Sequence, residues 1–439
     1  MMRTIRTLIV LFLSNVILQP SFAQPVHIPI QHWEDHGAQV YFVQRGELPM
    51  VDILVALDAG SARDEEMYGI ANLAGSMIDQ GTQTLNADQI AEKFAKLAAQ
   101  FNVSTTRDMT VVGLRSLTKD ELLEPAVSLL GQLLGQANFS SLALQRQKNV
   151  TFSEIQASKQ DPNQLAQDTF MQALYGTHPY AHPVLGNEAS VSAITSSDLQ
   201  KFYHRYYSTN NAVITIVGDL SRSEAEDLVD KIVSRMSKTA KAKALPMAVM
   251  PQAKTLHINY PSSQTTVYMG QLGVSRLNPN YLPLILGNYT LGGSMVSQLF
   301  TNVRGEHGYS YSVSSYFLPL AANGPFMINL QTKTNNTSKA IELTNRVTSS
   351  FINNGPTIKE LNAAKANIIG GFPLMLDNNS DIANYLTVIG FYHLPLDYLD
   401  TFTTRAEAVN LENVKNALKL NLNMKNFITV TVGQAADVQ

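Results

Sequence analysis

The chain contains no cysteine. That removes disulfides, thiolate metal sites and a cysteine nucleophile from consideration. It also removes lipid attachment at a bacterial lipobox, which needs a cysteine at the cleavage point. An exported protein of this size can do without disulfides, because its cores are large enough. Charge is sparse as well: 15% of residues are charged, and the formal net charge is -3 over 439 residues. No basic stripe offsets that balance, so neither nucleic acid nor an anionic membrane surface is an expected partner. Beyond the N-terminus no apolar run approaches the length of a membrane span. No G-x-S-x-G elbow occurs, which leaves a serine-hydrolase reading without support.

What is present begins with an export signal. Arg3 and Arg6 form a positive start, Leu8–Leu13 opens an apolar run that reaches about Leu18, and Ser21-Phe22-Ala23 supplies small residues for cleavage. Residues 1–23 are therefore expected to be a signal peptide, with no stable membrane insertion of the mature chain. In a Gram-negative source the mature protein would be periplasmic.

An apolar content of 45% marks a folded protein. The length suits two domains of roughly 200 residues. The pattern of the chain agrees, because it is written twice. Ser196–Leu199 opens a helical stretch that runs into the strand Ala212–Gly218; Leu411–Val414 opens another that runs into Phe427–Gly433. Both strands carry alternating β-branched residues and stop at glycine. Upstream, Leu144 with Lys148 and Leu361 with Lys365 sit at nearly the same offset. A period of about 215 residues means duplicated domains, since solenoid repeats are far shorter.

Within the first half, Val51, Ile53, Val55 and Leu57 alternate as in a half-buried strand. Ile70, Leu73, Met77 and Ile78 keep helical spacing. Ile90, Phe94 and Leu97 do so after Asp88, a candidate cap. Capping boxes are expected at Thr118/Glu121, Ser221/Glu224 and Thr357/Glu360. Strands followed by groups of helices imply an α+β fold with largely antiparallel sheets. The expected domains are 24–236 and 253–439. Between them 237–252, with Lys238, Lys241, Lys243, Pro246 and Pro251, reads as a solvated linker.

The run Gly69–Met77 resembles the inverted zinc motif His-x-x-Glu-His of the insulinase/pitrilysin peptidases. The flanking Gly60–Glu65 and Asp79–Thr82, the passage His178–Pro183, Leu291–Ser294 and above all Leu299–Val313 are similar to the same family, specifically its short two-domain bacterial branch. The resemblance implies a clamshell half made of two peptidase-like domains. Where the family has its two histidines and its glutamate, this chain has Asn72, Ser76 and Gly75. Zinc takes imidazole, thiolate or carboxylate ligands, and a general base must titrate. None of the three can serve. Glu154 falls where the family's third ligand belongs, yet one carboxylate is not a site. Arg304 and Tyr311, seven residues apart, match the family's substrate-holding pair in the second domain. An arginine fork suits a carbonyl or carboxylate, and a tyrosine hydroxyl can donate to a developing oxyanion.

The expectation is therefore a chain with no metal of its own. It would pair with a homologous subunit that keeps His-x-x-Glu-His and carries the zinc, and it would supply Arg304 and Tyr311 to a peptide substrate in trans. An exposed strand edge could add to substrate binding. Two other readings remain open at this point: a structural scaffold of the same fold, and a peptidase with a different metal site. For the latter, His178 and His182 are poor candidates, because Pro179 and Pro183 keep them off a helix. His307 is a loop histidine near Arg304. Gly292-Gly293 is expected to let the backbone turn between two helices.

Overall fold

A computed structural model describes residues 27–434. The expected signal peptide lies outside the described residues. Among them no helix is long and apolar enough to cross a membrane.

The first sheet contains β1 (Gln31–Asp35), β2 (Ala38–Gln44), β3 (Met50–Leu57), β4 (Gln100–Thr105), β5 (Thr110–Leu117) and β6 (Ala212–Gly218), in the order β1-β2-β6-β3-β5-β4. The second contains β7 (Lys254–Asn259), β8 (Gln264–Leu272), β9 (Ser312–Phe317), β10 (Pro325–Lys333) and β11 (Ile428–Gly433), in the order β7-β11-β8-β10-β9. Setting β1 aside, the two orders are the same. One pairing in each is parallel, β2 with β6 and β7 with β11. All others are antiparallel. The duplication written in the sequence is thus a duplication of topology, and the α+β class holds.

The paired lysines show the same identity at the level of single bonds. Lys148, in the helix Ser141–Lys159, donates from Nζ to the carbonyl of Ser192 at 2.7 Å. Lys365, in the helix Ile358–Gly371, donates to the carbonyl of Glu407 at 2.6 Å. Each acceptor belongs to a short helix, Glu188–Ala193 in one half and Phe402–Ala408 in the other. A lysine at that position ties two helices together in both copies.

The halves do not simply sit side by side. The helix Pro162–Tyr175 comes from the first half but packs on the second sheet, where Ala166, Phe170 and Tyr175 share a core with Tyr268, Met327 and Val430. The helix Asn379–Phe391 comes from the second half and packs on the first sheet, where Ile382, Leu386 and Ile389 share a core with Tyr41, Val213 and Val217. Each half covers one face of the other's sheet. This exchange explains why β3 is buried on both faces, not on one as its alternation suggests. Its core-facing Val51, Ile53, Val55 and Leu57 are fully buried, and on the other face Asp52 and Ala56 are buried too. Asp52 is held there by Arg115 at 2.8 and 3.0 Å. A fully buried aliphatic or aromatic side chain contributes roughly 1.5–3 kcal/mol relative to exposure, so the exchanged helices make separation of the halves costly.

A polar centre completes the seam. Asp108 accepts hydrogen bonds from the hydroxyls of Tyr180 and Tyr392 (2.8 Å for Tyr392) and from the N–H of Ala321 at 2.9 Å. Burial pushes its carboxyl pKa up, against the pull of these three donors.

Capping boxes form at Ser221/Glu224 and Thr357/Glu360 as expected. Two others move. The helix Ala87–Lys96 is capped by Asn86, with Asp88 inside its first turn. The helix Asp120–Gln136 begins after Lys119 without a side-chain cap, so Thr118 and Glu121 form no box. The connection 237–252 has almost no regular structure, and its lysines are exposed, but its backbone is pinned. Asn211 accepts from Ala242 N–H at 2.7 Å, Arg63 donates to the Lys243 carbonyl at 2.6 Å, and His178 bonds the Pro246 carbonyl at 2.9 Å. It is a strap along the first half more than a free linker.

Candidate functional site

Asn72, Gly75 and Ser76 lie on one short helix, Ile70–Ser76. Asp64 organises its start. The Asp64 carboxylate is fully buried and accepts from the N–H groups of Gly69 at 2.6 Å and Ala71 at 3.0 Å. These are orphan donors of a helix N-terminus, and Gly69 reaches them through a left-handed φ of 96° that glycine adopts without strain. Burial pushes the Asp64 pKa well up, while its two backbone partners pull it down. Ile70, Leu73 and Ala74 bury in the first core, which leaves Asn72 and Ser76 half-exposed. The Ser76 hydroxyl is turned back onto the Leu73 carbonyl at 3.1 Å.

Gly75 is buried, and the space in front of it is taken. A Cβ there would stand 2.6 Å from Thr105 Oγ1 and 3.4 Å from Thr110 Cγ2 and Val103 Cγ1. Thr110 donates to the Ala59 carbonyl at 2.9 Å, so the proton in its 3.0 Å contact with Thr105 comes from Thr105. The Thr105 hydroxyl, with methyl groups of Val103 and Thr110, fills the volume into which a side chain at position 75 would grow.

Glu154 is exposed on the helix Ser141–Lys159, which packs against the helix Ile70–Ser76. Among the described residues no group of three or more His, Cys, Asp or Glu is placed to hold a metal ion. A carboxamide, a glycine and a hydroxyl already bonded to its own helix do not make the nitrogen, sulfur or carboxylate set zinc takes. The zinc of the peptidase motif does not fit these residues.

His178, His182 and His307 have structural partners. His178 accepts from the Tyr180 N–H at Nδ1 (3.1 Å), so its Nε2 donates to Pro246. His182 stacks on Tyr68 with ring centroids 4.4 Å apart. Burial pushes both imidazole pKa values down, which keeps them neutral. His307 Nδ1 contacts the Asn302 carbonyl at 2.9 Å.

The second half presents its motif differently. Arg304 lies on a π-helical turn, Phe300–Glu306, a form that recurs at functional sites. Leu299 and Val303 bury in the second core and hold the turn from below. The i→i−5 bond from His307 N–H to the Asn302 carbonyl and a 2.9 Å bond from Tyr309 N–H to Val303 close it. Arg304 itself is exposed, with its guanidinium 4.8 Å from the Phe300 ring. Tyr311 precedes β9, an edge strand of the second sheet, and its N–H donates to the Gln331 carbonyl at 2.8 Å. Its side chain is 49% exposed. Both groups stand in solvent on an anchored backbone, free to meet something outside the chain. Gly292 ends the helix Tyr281–Leu291 and opens the turn that leads to the next helical segment, as expected, and it has a second role. Its Cβ would lie 2.4 Å from Ser315 Oγ, so it permits close approach of the helix Tyr281–Leu291 to β9.

Sequence reasoning missed Thr105, Asp64 and the π-turn. Asp64 lay inside a recognised passage but had no visible role, because its partners are five and seven residues on. Thr105 left no local signal at all; it reaches Gly75 only through space.

Comparison with known proteins agrees with this geometry. Residues 43–188 match the family model "Insulinase (Peptidase family M16)" and residues 193–368 match "Peptidase M16 inactive domain". A solved structure from Pseudomonas fluorescens, described as a peptidase M16 inactive domain, is 37% identical, with a TM-score of 0.90, over 93% of this chain and 98% of that one. A Bacillus subtilis protein named uncharacterized zinc protease YmxG is 27% identical over 92% of this chain and 98% of its own length. A Helicobacter pylori protein named non-peptidase homolog YmxG is 26% identical over 91% of this chain and 93% of its own. Two matched family models and a close structural relative over almost the whole described length leave one conclusion: this chain belongs to the insulinase family of peptidases, as a member without the residues of the zinc motif.

Proposed function

We propose that this chain is the non-catalytic subunit of an exported heterodimeric zinc peptidase. A homologous partner with an intact His-x-x-Glu-His motif carries the metal, and this chain offers Arg304 and Tyr311 to the bound peptide. The observation that carries the reading is the contrast between the two halves. Position 75 is closed by Thr105, whereas Arg304 and Tyr311 are solvent-facing on a backbone fixed by buried neighbours. A fold kept only as a scaffold has no use for that pair. Arg304 would hold a substrate carbonyl or carboxylate through its fork, and the Tyr311 hydroxyl would donate to the oxyanion as it develops. The mature chain would start after Ala23 and act outside the inner membrane, in the periplasm of a Gram-negative cell.

The test is peptide cleavage by the purified pair. Arg304→Ala and Tyr311→Phe are each expected to lower kcat/KM by roughly 10²-fold, the size of losing one oxyanion donor. Unchanged cleavage sinks the proposal. Stoichiometric zinc in the isolated chain would also sink it. The scaffold reading draws on the "non-peptidase" name of the Helicobacter pylori relative; a copurifying partner without a zinc motif would favour it.

A further inference from the structure

The second half contains a cavity of about 620 Å³ that the function above does not use. Through the duplication it occupies the counterpart of the ruined motif's neighbourhood. The helix Tyr281–Leu291 follows β8 as Ile70–Ser76 follows β3, and the cavity opens between that helix, β9 and the helix Ile358–Gly371. It is lined by rings, among them Tyr281, Tyr289, Tyr385, Tyr398, Phe372 and Phe402. Phe372 stacks on Phe402 with centroids 4.3 Å apart, and Tyr385 meets Phe372 edge-on at 6.4 Å.

Among the described residues Arg276 is the only charged one lining this space. Its backbone N–H is fixed to the Leu320 carbonyl at 2.9 Å. Its Nη1 donates to the Tyr281 hydroxyl at 3.2 Å, and its guanidinium carbon lies 5.1 Å from that ring's centroid. Its Nε is buried and has no hydrogen-bond partner. Among the described residues no carboxylate comes within ion-pair distance of it. Arg276 as a whole is half-buried, but a guanidinium whose Nε is buried without an acceptor, with no counter-charge in reach, gains from an anionic partner.

The chemistry of the walls selects among anions. One cation balances one negative charge, and there is no second cation for a phosphate. The Arg fork matches a carboxylate with two parallel bonds. The ring surfaces offer an apolar body a large contact area with few polar demands. We propose that this cavity binds an amphiphilic monocarboxylate, with an aromatic or aliphatic body among the rings and its carboxylate on Arg276. The carboxylate could belong to a free organic acid or to the C-terminus of an apolar peptide. The proposal is independent of Arg304 and Tyr311, which lie on another segment.

The test is calorimetric titration of the full mature chain with phenylbutyrate, N-acetyl-Leu-Phe and the amide of N-acetyl-Leu-Phe. The acids are expected to bind with Kd on the order of 100 μM, in keeping with small ligands of good efficiency. The amide should bind at least about tenfold more weakly, since it lacks the charge that Arg276 pairs. Arg276→Gln should reduce acid binding by a similar factor with an unchanged melting curve. Tyr398→Ala should weaken both acids by emptying part of the wall, and it remains informative if the arginine variant does not fold. Tighter binding of phenylbutyrate assigns the free acid as the natural source; tighter binding of N-acetyl-Leu-Phe assigns the peptide terminus. The proposal is overturned if neither acid binds, if the amide binds equally well, or if either variant, when folded, binds as the parent does.

Discussion

Gly75→Ala is a substitution that helix propensity alone would call stabilising. Alanine in place of glycine within a helix gains about 1 kcal/mol. The structure sets two costs against that gain. The new Cβ meets Thr105 Oγ1 at 2.6 Å, well inside contact distance, so Thr105 must rotate away. That breaks its bond to Thr110, at about 1 kcal/mol. Forcing a methyl into a filled site adds about 1–3 kcal/mol of overpacking. The balance is a net loss of about 1–3 kcal/mol. Thr105→Ala alone removes the same hydrogen bond but leaves Thr110 bonded to Ala59, and should cost about 1 kcal/mol. The double variant lets the new methyl fill the space vacated by the Thr105 hydroxyl, so it should be more stable than the sum of the singles by at least about 1.5 kcal/mol, a coupling typical of residues in contact. Urea unfolding of the four chains measures this, compared at constant slope. A stabilised Gly75→Ala, or additivity within about 0.5 kcal/mol, would refute the steric account. The same contact stands against a glutamate at 75, so restoring the motif requires changing β4 as well.

Beyond the tests of Arg304 with Tyr311 and of Arg276, two predictions concern buried carboxylates. Asp64→Ala leaves the N–H groups of Gly69 and Ala71 without acceptors, and should cost about 2–4 kcal/mol, with faster amide exchange at both positions; a change in urea midpoint worth less than about 0.5 kcal/mol would count against Asp64 as the organiser of this helix. For Asp108 the sign follows from the raised pKa in the fold. The stability contribution of a carboxyl with a raised native pKa is fully present below its unfolded value and is lost as pH rises through the folded value. Asp108→Asn removes that titration and leaves Tyr180, Tyr392 and Ala321 competing for one acceptor. Its deficit relative to the parent should therefore be largest near pH ~4, the ordinary carboxylate range, and shrink toward neutrality in thermal melts taken across that window; a deficit independent of pH would contradict the assignment.

Much of the architecture was legible because it depends on local patterns. The repeated strand-then-glycine endings of β6 and β11, and the lysines 148 and 365, announced two copies of one topology. The cap at Ser221 could be read because its partner lies three residues away. Thr118 failed as a cap because the helix start is set by packing of Leu123 and Val127, not by the hydroxyl. The alternation of β3 described one face correctly and misjudged the other, since the covering helix comes from more than 300 residues downstream.

The site divides in the same way. Side-chain chemistry by itself determined that Asn72, Gly75 and Ser76 cannot form the family's zinc site, because ligand type is a property of the residue and not of its surroundings. The same is true of the survival of Arg304 and Tyr311, and of the two-fold writing of the chain. Only the tertiary structure decided that position 75 is closed by Thr105, that the halves exchange helices and meet at Asp108, and that Arg276 stands uncompensated among aromatic rings. Each of those rests on contacts between residues far apart in sequence. Packing selects such pairs by shape and by hydrogen-bond satisfaction once the chain has folded, and no local periodicity encodes them.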